Sequence, residues 1–131
     1  MVYRLSDGEL LPPAKSGVIE EVISNIGVNL PGDYWEFIRI HNGGEGFIGT
    51  NYIVFWKAEE LVEFNHEYEV MKYAPGILLF GSDGGGEGYG FDLQAVATPI
   101  IRVPFIGMDR RYAIPIANSF PDLFAKLRAP E

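Results

Sequence analysis

The chain has 131 residues, a 47% hydrophobic fraction, no cysteine and a formal net charge of −8. That length predicts one domain burying about two-thirds of its unfolded surface, and the cysteine count excludes disulfides and thiolate metal sites. The acidity disfavours direct binding to nucleic acid or a membrane and fits either plain solubility or a protein partner with a basic surface.

Met1–Glu9 lacks the basic start and apolar run of a signal peptide, and no apolar stretch is long enough to span a bilayer, so a cytoplasmic protein is expected. Residues 1–15 read as a tail or edge element, with Pro12-Pro13 near its end, and residues 16–131 as the domain. Ser16 is the expected N-cap of a first helix with Val18, Ile19, Val22, Ile23 and Ile26 on its apolar stripe, stopped by Gly27. A second helix follows. Pro31 suits its first turn, Asp33 complements the helix dipole, and Tyr34, Phe37, Ile38 and His41 share one face. Asn42-Gly43-Gly44 is expected to end it through left-handed backbone. His41 is placed at that C-terminus, where its cationic form would favour the dipole.

Gly46–Gly49 and Tyr52–Trp56 read as strands around Thr50-Asn51. Ala58–Tyr73 reads as one helix, with Leu61, Phe64, Tyr68 and Met71 inside and Glu59, Glu63 and Glu67 aligned outside at i, i+4. Pro75-Gly76 breaks it. Strands are expected at Ile77–Gly81, Tyr89–Leu93, Ile100–Phe105 and Tyr112–Ile116, with a turn at Asp109-Arg110-Arg111. Ser119 should cap a last helix facing Phe120, Leu123, Phe124 and Leu127 inward. Strands grouped in meanders argue for an α+β single domain, a mainly antiparallel sheet packed with about four helices.

Chemical motifs are weak. Gly81–Gly90 holds six glycines in ten residues, yet it has no lysine, carries Asp83 and Glu87, and runs into a strand, unlike a phosphate loop. A hairpin loop or a partner-contacting loop both fit. His66-Glu67 opens like a zinc helix motif, but Val70 stands where the second histidine belongs. Asp83 is followed two residues on by Gly85 rather than an oxygen ligand for calcium. Ser82 lies in Phe80-x-Ser82-x-Gly84 rather than a nucleophile elbow. The paired carboxylates face outward, which fits a solvated face or a docking face for a basic partner. Trp56 precedes the acidic segment and is either a core-edge residue or an interface anchor.

Leu30-Pro31-x-x-Tyr34-x-x-Phe37-Ile38 closing on Asn42-Gly43-Gly44, then Phe80-Gly81-Ser82-Asp83-Gly84 leading to Asp92, then Ala117–Phe124, together resemble the SMI/KNR domain of the SUKH superfamily. The resemblance covers roughly residues 16–128. It implies a non-catalytic immunity protein that binds and neutralises a toxin, a nuclease among the options, with no cofactor, metal or catalytic residue. The alternative is a regulatory or scaffold module of the same fold, and an unrecognised enzyme or small-molecule site is a third reading. Most of the signature positions Leu30, Pro31, Tyr34, Phe37, Asn42, Gly43, Gly44, Gly81, Asp83, Gly84 and Asp92 are expected to be structural. The candidate partner-binding set is Trp56, Glu59, Glu63, Glu67, Asp83 and Glu87, chosen on acidity and loop composition.

Overall fold

In a computed structural model, which describes residues 2–129, the strands form one seven-stranded antiparallel meander in the order β1 to β7. They are β1 (Ser6–Leu10), β2 (Gly44–Ile48), β3 (Asn51–Phe55), β4 (Ile77–Ser82), β5 (Glu87–Asp92), β6 (Ile100–Pro104) and β7 (Ile114–Ala117). The helices are α1 (Val18–Ile26), α2 (Gly32–Ile40), α3 (Leu61–Glu67), α4 (Val70–Tyr73) and α5 (Phe120–Arg128). The α+β reading with an antiparallel sheet is what the chain adopts. Its five α-helices arise because the single helix expected over Ala58–Tyr73 is divided: a 3₁₀ turn at Ala58–Glu60, then α3, then α4. The division falls at Glu69, whose φ of 53° is left-handed and cannot continue an α-helix.

Rings from α2 and α5 build the core against the sheet. Phe37 lies 4.9 Å from both Phe55 and Phe120, and Phe80 lies 5.0 Å from Phe91. Tyr3, from the N-terminal segment, adds an edge contact at 5.0 Å to Phe37. The α5 stripe is as expected: Phe120, Leu123, Phe124 and Leu127 are all buried, and Ser119 Oγ accepts from Asp122 N–H at 3.1 Å. Asp33 does more than complement its own helix, because its Oδ2 accepts from Phe120 N–H at 2.7 Å and so joins α2 to α5.

Several local expectations are corrected. Gly17, with φ 89°, takes the N-cap of α1 without a side-chain bond, so Ser16 does not cap it, and Ile23 of the expected stripe is exposed. Helix α2 ends at Ile40 because His41 is already extended; Gly43 and Gly44 have positive φ, but beyond the helix. His41 Nδ1 lies 3.0 Å from the Leu11 carbonyl oxygen, tying the helix end to the N-terminal segment rather than to the helix's own last carbonyls. Tyr68, at the C-terminal end of α3, and Met71 are both exposed rather than inside; the left-handed turn at Glu69 carries Met71 off the inner face.

Strands β3 and β4 pair only at Val54–Ser82 and Phe55–Gly81. Beyond that pair, α3 enters the gap. Asn65 donates from Nδ2 to the Leu79 carbonyl and accepts at Oδ1 from Leu79 N–H, each at 2.8 Å, so one side-chain amide replaces a missing strand neighbour. This seats α3 beside the β4–β5 hairpin.

Candidate protein-binding face

Phe55 points into the α2–α5 core, and the next residue, Trp56, packs against α3 instead. Its ring meets Phe64 edge-on at 5.0 Å and stacks on Tyr68 at 6.1 Å. Tyr68 in turn stacks on Phe105 at 4.4 Å, and Phe105 N–H donates to the Gly86 carbonyl at 2.9 Å. An aromatic run therefore links the end of β3, the end of α3 and the glycine-rich loop. Trp56 is 6% exposed, so it supports this face from beneath instead of standing out as an anchor. The exposed apolar groups are Tyr68 at 43% and Ile106 at 93%.

Glu63 and Glu67 are exposed on α3 and have no ion-pair partner among the described residues. Glu59 does not extend their helical row. It lies in the 3₁₀ turn, faces α1, and accepts from Asn42 Nδ2 at 2.8 Å. Both acidic groups of the loop have internal partners. Asp83 Oδ1 accepts from Gly85 N–H at 2.8 Å and Glu87 N–H at 3.1 Å, which closes the hairpin, and Glu87 pairs with Arg102 at 3.4 Å. The loop is a clamped structure with glycine backbone at its tip.

The signature positions have structural tasks. Leu30, Tyr34 and Phe37 are buried, and Pro31 precedes the first residue of α2, accepting from Tyr34 N–H at 3.1 Å. Asn42 is buried; besides Glu59 it holds Ala58 N–H through Oδ1 at 2.8 Å, tying α2 to the turn before α3. A Cβ on Gly43 would sit 2.7 Å from the Phe55 carbonyl oxygen, and one on Gly44 2.4 Å from that of Glu9. Gly81 is tighter still, at 2.2 Å from the Val54 oxygen, so any side chain there would force β3 and β4 apart. Gly84 has φ 78° and packs on the Tyr52 ring. Asp92 accepts from Arg110 Nη2 through both oxygens, at 3.0 and 2.8 Å. Burial opposes the charge on Asp92, but Arg110 and the Gln94 N–H outweigh it and hold the carboxyl below its usual range.

Sequence reasoning left out Tyr68, Phe105 and Ile106 as surface groups. Tyr68 was hidden by the assumption of one unbroken helix. Phe105-Ile106 beside Gly107 is an apolar pair at a turn, which was a readable signal. Among the described residues no group of three or more His, Asp or Glu side chains could hold a metal ion, and no helix is long and apolar enough to cross a membrane.

The profile of the SMI1 / KNR4 family (SUKH-1) matches residues 13–126, nearly the whole length over which these elements run. The chain belongs to the SMI1 / KNR4 family. Among curated proteins, this SUKH-1 chain is 35% identical over 69 residues to the uncharacterized protein YnaB of Bacillus subtilis (strain 168). That match covers 53% of the chain and 44% of YnaB, so the chain spans under half the length of the relative. The SUKH-1 profile runs from Pro13 into α5, so the paired helices, strands β2 to β7 and the aromatic face fall inside it, while β1 precedes it.

Proposed function

We propose that this chain is an immunity protein, acting in the cytoplasm, that binds a toxin protein and neutralises it by stoichiometric occlusion without catalysis. Membership of a family that includes immunity proteins carries the reading. The contact surface proposed is the face built by Glu63, Glu67, Tyr68, Phe105 and Ile106 with the Asp83–Glu87 loop, supported by Trp56; Glu59, which faces α1, lies outside it. It combines exposed apolar groups, suited to a desolvated centre, with carboxylates at the rim. Such a rim favours a toxin with a basic surface, as a nuclease groove would have, because complementary potentials raise the association rate.

The test is affinity capture of the tagged chain from its own host, followed by expression of what is bound. The expected result is one partner whose C-terminal segment kills cells and is silenced by this chain. Recovery of an endogenous regulator, with a growth defect on deletion in a toxin-free strain, would replace immunity with the scaffold reading.

A further inference from the structure

A trough runs along the opposite flank of α3, between α1 and the α3–α4 pair. Two adjoining recesses form it and share Val62. The larger holds about 540 Å³ and is walled by Ile26, Val62, Met71, Ile77, Leu78 and Leu93. The smaller holds about 330 Å³ and carries two carboxylates, Glu21 and Glu59, with Val22 and Asn25 between the walls. Met71 is 78% exposed and Val62 50% exposed, so the apolar end faces water. The acidic end is built. Glu59 is held by the amide of buried Asn42, and neither Glu21 nor Glu59 has an ion-pair partner among the described residues.

We propose that this trough is a second docking site, for a polypeptide segment that places apolar side chains over Val62, Met71 and Leu78 and a lysine or arginine between Glu21 and Glu59. The order of chemistry along the trough selects that occupant. The apolar end takes two or three large aliphatic or aromatic groups, and Met71 adapts to their shape. The carboxylate end takes a cation, and its charge-assisted bond fixes the register. The net charge of −8 opposes the other occupants, since a second copy of the chain or an anionic lipid surface would be repelled. This site lies across α3 from the face proposed for the toxin and does not depend on that proposal.

The test is an NMR methyl titration of the full chain with two synthetic peptides, an amphipathic leucine–lysine helix and its leucine–glutamate counterpart. The lysine peptide is expected to shift the methyls of Val62, Met71 and Leu78 saturably, and the glutamate peptide is not. Met71→Glu should weaken the lysine peptide about tenfold or more, as truncating a central apolar contact does, while Ile106→Ser leaves it unchanged. Met71→Gln, milder at the same exposed position, guards against a folding defect and should weaken binding in the same direction. Shifts confined to the Ile106 methyls of the other face, equal binding of the glutamate peptide, or shifts at Val62 and Met71 that track protein concentration without peptide would each overturn the proposal.

Discussion

Asn65 and Asp92 show how single polar side chains hold elements the backbone alone leaves open. Asn65→Ala would leave the N–H and carbonyl of buried Leu79 without these partners. It should cost about 2–4 kcal/mol, from two unsatisfied groups, read as a lower urea midpoint. Neither this bond nor the Asp33–Phe120 bond was legible in the sequence, because each joins residues brought together only by the fold. Asp92 gives a pH signature. Its folded-state pKa is depressed, so the unfolded chain binds the proton more readily. The stability from its Arg110 pair is present above the unfolded carboxylate value of about 3.9 and is lost as pH falls through the lower folded value. Asp92→Asn should cost about 1–2 kcal/mol at neutral pH and flatten the dependence of stability on pH in the acid range. An unchanged slope would mean that other carboxylates carry the acid sensitivity.

At the scale of elements, the strands from β2 onward and α5 were readable because their signals are local, whereas β1 lies in the segment read only as a tail or edge element. Turn residues bound each short strand, and Ser119 with Phe120, Leu123, Phe124 and Leu127 states both the cap and the buried face of α5. The Ala58–Tyr73 segment was not readable, because its apolar spacing is the same with or without a break. Tertiary demands decide it: α3 must lie against the edge of β4, where Asn65 reaches Leu79, and the chain must then turn back before Pro75. Glu69 takes the left-handed conformation at that bend. Glu69→Gly should be neutral or stabilise by about 0.5–1 kcal/mol, since glycine loses the Cβ penalty but orders a freer chain. Glu69→Val should destabilise by about 1 kcal/mol or more, as a β-branched side chain resists positive φ. Thermal unfolding of the two variants checks the ordering. The candidate face shows the same division. Its carboxylates were visible as composition, whereas the stacking of Trp56, Tyr68 and Phe105 that joins α3 to the loop required the fold.

Across the whole molecule, the charge is unevenly engaged. Among the described residues, Glu20, Glu87, Asp92, Asp109 and Asp122 are each paired with an arginine or lysine, while Glu63 and Glu67 are not. The surplus negative field therefore includes the α3 ridge between the proposed toxin face and the trough. The Glu63→Lys/Glu67→Lys double variant should fold normally, because both residues are exposed, and should associate with the captured partner about tenfold more slowly at low salt. The difference should shrink as ionic strength rises. Equal rates at low salt would move the interface off this ridge. The most direct measurement is a titration of the purified chain into the captured toxin domain, following the toxin's own activity. The account predicts a linear fall to zero at molar parity, with no further change on incubation. Progressive loss with substoichiometric chain would mean catalysis, and full activity at excess chain would mean that toxin neutralisation is not what this protein does.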